Sequence, residues 1–508
     1  MASPRHFVCI HGHFYQPPRE NPWTGKIDFQ PSASPFHDWN QRITSECYAP
    51  NASAKVLGPS GAVGETIDNY SLISFDFGPT LLSWMKEKAL TTYLDVLKAD
   101  RMSAAWFSGH GSAMAQAYNH VIMPLADART RKTQIIWGMT DFERRFRRAA
   151  EGMWLPETAA DTMTLEALAD EGVKYTVLSP FQAQRTRSEG SYGWVDVVGG
   201  KIDTKKPYIV PLPSGREFTV FFYDGTISHG IAFGQLVDDG QSLVDALRSA
   251  FSEDEGPQLV SVATDGETYG HHHKFGEMAL AYCLRHIQEG DEVHLTNYSE
   301  YLAQNRPRDY VEILDPSSWS CPHGVDRWKG GCSCGSSGSP SWSSEWRTTL
   351  RSSMDWLRDR LALLYAEEGA RYMSDPWLAV DDYASTFFAD GAGFERFLNE
   401  HMKPGQEKAR PTVVKLLQME LLAQLMYTSC AWFFEDISRI ESKQVIAYAI
   451  RAAQLATDVS QSDLVSAFAK TLYACKPNNA NYPDGKSVVD EVMGMAPGVG
   501  SVTEGMQV

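Results

Sequence analysis

A chain of 508 residues with 43% hydrophobic and 21% charged residues is globular in composition, and long enough for a large barrel plus an added module. Its formal net charge of −17 disfavours nucleic acid and anionic membranes, which need a concentrated positive surface, whereas a neutral substrate is indifferent to that field. Eight cysteines are too sparse for a disulfide scaffold, and no apolar run approaches the roughly 20 residues a bilayer requires.

The opening "MASPRHFVCIHGHFYQPP" lacks a long apolar targeting core, so a cytoplasmic location is expected. Within it "HFVCIHGHF" reads as a buried strand. "TLLSWMKEKALTTYLDVLKADRM" has helical spacing, "TQIIWGM" reads as a strand, and "TDFERRFRRAAEG" as a helix. "TMTLEALADEGVKYTVLSP" gives a helix, a stop at Gly172 and a strand; "PQLVSVATDGETYG" gives a strand with a polar end. Alternating β and α units imply a parallel sheet, open or closed into a barrel, with its chemistry at the carboxyl ends of strands. Residues 1–305 are taken as this catalytic domain.

Residues 306–345, rich in Gly, Ser and Cys, read as a structured loop or insertion. Residues 346–508 are mostly helical, through "WRTTLRSSMDWLRDRLALLYAEEG", "TVVKLLQMELLAQLMYTSCAWFF" and "ESKQVIAYAIRAAQLA", and end in a loose tail, "GMAPGVGSVTEGMQV". No internal repeat is visible.

Three features point to chemistry. Glu157 in "MWLPET" lies in a turn between strand and helix beside Trp154; it can enter a barrel mouth, or simply favour a helix start. Asp265 ends a strand and precedes Gly266, which would let a ligand approach the backbone; its plainer reading is a turn cap. Two carboxylates at neighbouring strand ends can form the pair that glycoside hydrolysis uses. His11 and His13 alternate on one strand and so share a face, which suits metal ligation or hydrogen bonding to sugar hydroxyls. The 14 tryptophans and 21 tyrosines supply flat faces that suit sugars, and are equally good core material.

"HGHFYQPPRENPW", "WFSGHGSAMAQAYNHVIMPLA", "MWLPE", "ATDGETYGHH" and "YTSCAWFFEDISRIES" occur in that order over about residues 7–445. Together they resemble glycoside hydrolase family 57, in the branch with an additional C-terminal domain of undefined function. The resemblance implies an α/β fold: a distorted (β/α)7 barrel followed by a mostly α-helical domain that contributes to the cleft. It implies a retaining α-glucan hydrolase or transglycosylase of amylase, glucanotransferase or branching type, with no cofactor or metal. Glu157 would be the nucleophile and Asp265 the general acid/base. His11, His13, Gln16, His110 (with Asn119 and His120), Trp154, Glu267, His272, Trp432 and Asp436 would bind substrate. The partner would be an oligo- or polysaccharide, with neither nucleic acid nor membrane, and the chain could form a homo-oligomer.

Two alternatives stay open. A metal-dependent polysaccharide deacetylase could use His11, His13, Asp265 and the run His271–His273, and would be sensitive to chelators. A carbohydrate-binding relative without turnover is the other, which the presence of both carboxylates disfavours. Separately, Cys321, His323, Cys332 and Cys334 are four ligands suited to zinc, without the spacing of paired C-x-x-C knuckles. Reduced thiols beside a sugar channel are the competing reading, with His323, Arg327 and Trp328 on its acceptor side.

Overall fold

The computed structural model describes residues 5–58, 60–334 and 342–496. The end of the expected tail, 497–508, and residues 335–341 of the Cys/Gly/Ser-rich segment lie outside the described residues. The chain divides into two compact units that interleave along the sequence. One comprises Met1–Gln16, Phe29–Gln116 and Phe142–Ser320; the other comprises Pro17–Asp28, Ala117–Asp141 and Cys321–Val508.

The first unit is built on β1 (His6–Phe14), β2 (Ser74–Phe77), β3 (Ala115–Gln116), β4 (Met153–Trp154), β5 (Tyr175–Leu178), β6 (Glu217–Phe222) and β7 (Gln258–Asp265). β1 pairs in parallel with β7 on one side, and with β2 and Val293–Leu295 on the other. A parallel bridge Phe75–Ala113 leads from β2 towards β3, β3 pairs with β4, and a bridge Gly152–Tyr175 leads on to β5 and so to β6. No ladder joins β6 to β7; the Asp224 N–H donates to the Ser261 carbonyl at 2.7 Å at that position. The parallel circuit expected from the alternating β and α segments is therefore present in a mixed α/β unit, without a ladder that closes it. On the side of β6, Tyr208–Pro211, Tyr310–Ile313, Ala183–Arg187 and Val195–Asp196 extend the sheet. Tyr310–Ile313 lies inside the segment expected to be loop; four residues of alternating burial are too short a signal to read without the partner strand.

Period-two alternation sets what each strand faces. Phe7 and Cys9 of β1 and Leu259 and Ala263 of β7 enter one buried cluster with Tyr175, Val177, Phe221 and Trp154. The next residues on the same faces are His11 and His13 on β1, and Asp265 on β7. One face of these strands thus runs from apolar core to polar site.

"TQIIWGM" is not a strand. It lies within the helix Ala128–Phe146, whose first turn is capped by the Asp127 carboxylate accepting from the Thr130 N–H at 2.9 Å. A short apolar run does not distinguish a strand from a buried helix, and here Ile135, Phe142 and Phe146 recur at helical spacing on the buried side.

The second unit is helical, as expected, with Glu345–Tyr372, Arg410–Leu425 and Ile440–Ser460 as its longest pieces. Leu350, Met354, Leu357 and Leu361 form a buried stripe on the first of these at spacings of three, four and seven. Truncating one of these leucines to alanine costs about 2–5 kcal/mol. Among the described residues no helix is long and apolar enough to cross a membrane.

Candidate active site

Register assembles the site before any side chain is considered. In the parallel ladders His11 lies beside Ser74 and His13 beside Asp76, while His13 lies beside Asp265 on the other flank. Asp76 then bridges the two histidines: its Oδ1 is 3.0 Å from His11 Nε2 and its Oδ2 is 2.9 Å from His13 Nδ1. His11 Nδ1 is 3.0 Å from Ser74 Oγ. All of these groups are buried. Burial opposes protonation of His13, but the charge of Asp76 and its hydrogen bond outweigh it and lift the imidazole to about 9. His11 goes the other way, because burial lowers it more than the same carboxylate raises it. Burial would raise Asp76; the positive charge of His13 and hydrogen bonds from both rings hold it below the usual carboxylate range. The three groups thus share one positive and one negative charge at neutral pH.

Trp154 forms the floor of this cluster. Its ring stacks on His11 at 4.6 Å and on His13 at 5.2 Å, and it is 0% exposed. Expected to bind substrate, it is here fully buried and supports the two imidazoles.

Three residues on, Glu157 occupies the left-handed region at φ 58, and Thr158 follows at φ 47. Such angles cost about 1–2 kcal/mol for a residue with a side chain, and they persist only where the surroundings impose them. Here the segment before Ser320 does so. The Ala160 and Ser317 backbones exchange hydrogen bonds, and the Trp319 N–H donates to the Glu157 carbonyl. The indole Nε1–H of Trp319 and the hydroxyl of Ser320 donate to Glu157 Oε2 at 3.0 and 2.7 Å. The distorted turn aims the carboxylate, and two donors hold it.

Asp265 is the last residue of β7, close enough to Glu157 to feel its charge. Displacement of water by the surrounding protein pushes its carboxyl up to about 6; His13 opposes this, and the negative charges of Glu157 and Asp76 add to it. The residue is also open to solvent, which discounts the effect of burial, and among the neighbouring charges His13 acts downward more strongly than either Glu157 or Asp76 acts upward. Gly266 differs from its expected role: what approaches its backbone is the Phe14 ring, 2.2 Å from where a Cβ would stand. Glu267 is buried and accepts from the Tyr48 hydroxyl and the Tyr15 N–H; burial raises it to about 7.

The other expected residues are placed as follows. Gln16 donates to the Tyr15 carbonyl. His110 is not with the carboxylates: it pairs with Glu151 at 2.7 Å, and both precede their strands, at the opposite ends from Glu157 and Asp265. His271 pairs with Glu46, His273 reaches the Ala232 carbonyl, and His272 is exposed. In the helical unit Trp432 donates to the Arg347 carbonyl, Asp436 accepts from the backbone N–H groups of Ser438, Asn478 and Asn479, and His120 contacts the Ser429 hydroxyl. Asn119 accepts from the Gln134 side chain. For the deacetylase reading, both nitrogens of His11 are already engaged by Ser74 and Asp76. Among the described residues, the Cys, His and carboxylate ligand atoms that converge as a possible ion site are those of Cys321, His323, Cys332 and Cys334.

Asp76, Tyr48, Trp319 and Ser320 were not expected. Asp76 had a faint signal, as an acid inside the apolar strand "SFDF". Trp319 and Ser320 had none, because their segment reads as loop.

Glu157 and Asp265 thus both lie at or just past the carboxyl ends of strands in a parallel α/β circuit, where the chemistry of such folds sits. Comparison with known proteins gives the family. Residues 27–314 match glycosyl hydrolase family 57, and residues 342–497 match a domain of unknown function, DUF3536. The chain belongs to glycosyl hydrolase family 57. A 4-alpha-glucanotransferase of Thermococcus litoralis is 23% identical over 261 residues, 49% of this chain and 36% of that protein. An alpha-amylase of Pyrococcus horikoshii is 23% identical over 270 residues, 51% of this chain and 39% of that protein. The chain thus spans under two fifths of the length of these curated relatives. Among solved structures, an exo-type maltose-forming amylase of Pyrococcus sp. ST04 aligns with a TM-score of 0.69 at 15% identity, covering 96% of this chain and 91% of that one. A GH57-type branching enzyme of Pyrococcus horikoshii aligns with a TM-score of 0.55 at 14% identity, covering 97% and 94%. At these identities the structures share the fold.

Proposed function

We propose that the protein is a retaining α-glucan hydrolase or transglycosylase in which Glu157 is the nucleophile and Asp265 the general acid/base. The observation that carries this reading is Glu157 itself, held at a left-handed φ with two donors on Oε2, while its charge acts on Asp265. Oε1 attacks the anomeric carbon, and the glycosidic bond breaks as Asp265 gives its proton to the leaving oxygen. Asp265, now a carboxylate, takes a proton from water or from a sugar hydroxyl, which displaces Glu157 from the glycosyl-enzyme. Retention requires carboxyl groups about 5–5.5 Å apart. Protonated His13 places a positive charge near Asp265, which keeps that carboxyl from rising further and favours the carboxylate needed in the second step. The family's α-glucan activities and the 4-alpha-glucanotransferase and alpha-amylase relatives support an α-glucan substrate.

The test follows products from maltoheptaose and amylose with wild type and Glu157→Gln. Shorter maltooligosaccharides alone mean hydrolysis; a ladder both longer and shorter than the substrate means transfer. Both products must vanish in the variant, and wild type inert on both substrates would remove the α-1,4-glucan assignment.

A further inference from the structure

Immediately after Ser320, four side chains between residues 321 and 334 converge. The Sγ atoms of Cys321, Cys332 and Cys334 and a ring nitrogen of His323 all lie within 4.8 Å of one another. Cys321 Sγ is 3.6 Å from Cys332 Sγ, and His323 Nδ1 is 3.4 Å from Cys332 Sγ and 3.5 Å from Cys334 Sγ. Tetrahedral zinc with Zn–S of about 2.3 Å and Zn–N of about 2.0–2.1 Å sets S···S near ~3.8 Å and S···N near ~3.6 Å. These three edges match those of a zinc tetrahedron to within about 0.2 Å, and all the ligand atoms lie within 4.8 Å of one another. A disulfide is a different object: its sulfurs lie about 2.05 Å apart, and it would leave His323 without a role at the centre.

We propose that Cys321, His323, Cys332 and Cys334 form a closed, structural zinc site that fixes the loop 321–334. The backbone is shaped for it. Gly324, Gly330 and Gly331 all have positive φ, which lets the chain turn back so that Cys332 meets Cys321 eleven residues earlier. A Cβ on Gly330 would stand 1.8 Å from Thr348 Oγ1, so the return is packed as well as turned. The Cys334 N–H donates to Cys332 Sγ at 3.1 Å, the kind of contact that stabilises a metal-bound thiolate. Charge fits too. Three thiolates around Zn²⁺ leave one net negative charge, and two buried arginines lie in this unit without a carboxylate partner among the described residues. Arg347 donates instead to the carbonyls of Cys332 and Cys334, and Arg327 lies over the Phe433 ring at 4.4 Å. The four protein ligands fill a tetrahedron and leave no position for a reacting water, so the metal holds the loop and performs no chemistry. A loss of activity on chelation would then report this loop, and would not by itself mark a metal-dependent reaction.

The full chain, purified under reducing conditions without added metal, is assayed for zinc by mass spectrometry of the elements. Wild type and Cys430→Ser should each hold one zinc per chain; His323→Ala and Cys332→Ser should lose it. Cobalt exchanged into wild type should give the thiolate-to-metal charge-transfer band and visible bands of a tetrahedral thiolate site, which keeps the proposal testable if either variant fails to fold. Zinc retained by both ligand variants, wild type with neither zinc nor a cobalt spectrum, or Cys321 and Cys332 recovered as a disulfide from freshly isolated protein would each overturn it.

Discussion

Replacing Asp76 by asparagine keeps the shape of the bridge between His11 and His13 and removes its charge. In the native protein, against the effect of burial, that charge and its hydrogen bond, with smaller help from Asp265 and Glu267, lift His13 from 6.5 to about 9. At about 1.4 kcal/mol for each pH unit, this is worth roughly 3 kcal/mol of stability. The sign follows from the direction. A group raised in the folded state contributes fully below its unfolded value of 6.5, and its contribution disappears as pH rises through about 9. Asp76 is held below its ordinary 3.8, so its part is present above that value and lost as pH falls beneath it. The stability gap between wild type and Asp76→Asn should therefore be largest, roughly 3 kcal/mol, below about pH 6.5. It should shrink by about 1.4 kcal/mol for each pH unit above that, and be nearly gone near pH 9, where His13 gives up its proton in wild type as well. Urea midpoints of the two proteins, measured at intervals from about pH 6 to about pH 10, read the gap directly. A gap that stays constant to the alkaline end, or no gap at neutral pH, would refute the claim that Asp76 holds a protonated imidazole beneath the site.

Trp319→Phe removes one of the two donors to Glu157 Oε2 while keeping a ring against Trp154 and His13. A hydrogen bond to a charged group is worth about 1.5–3 kcal/mol, so kcat should fall roughly 10- to 100-fold with the melting temperature little changed. With Asp265 as the proposed acid, acting in its protonated form and raised to about 6, kcat/KM on maltoheptaose should decline as pH rises through about 6. His13→Gln, which withdraws the opposing positive charge, should move that limb upward, and an unmoved limb would separate His13 from Asp265. Gly266→Ala drives a methyl into the Phe14 ring and should cost about 1–3 kcal/mol, with recovery in Gly266→Ala/Phe14→Leu.

The strand-end part of the site was legible because it obeys a short-range rule. Alternation places His11 and His13 on the face of Phe7 and Cys9, and the polar end of "QLVSVATD" marks Asp265 on the next strand. What completes the site is register and distant chain, which periodicity does not encode. Asp76 reaches both histidines from 63 and 65 residues away, and Trp319 and Ser320 reach Glu157 from 162 and 163 residues away. Glu157 could be suspected from its turn after Pro156, but its left-handed backbone follows from the Ser317–Trp319 segment lying along it. His110 shows the opposite error. It comes from the resemblance of its sequence block, which carries no position in space, whereas its place before a strand puts it at the far end, paired with Glu151. The helix over "TQIIWGM" was missed because seven apolar-rich residues fit either period until their neighbours are included.

The most direct measurement is the anomer first released from maltoheptaose, followed by proton NMR before mutarotation, with Glu157→Gln run beside wild type. A retaining pair made of Glu157 and Asp265 predicts the α-anomer first from wild type, and at least about a thousandfold less product from the variant. The β-anomer first, or a Glu157→Gln variant that works at the wild-type rate, would contradict it.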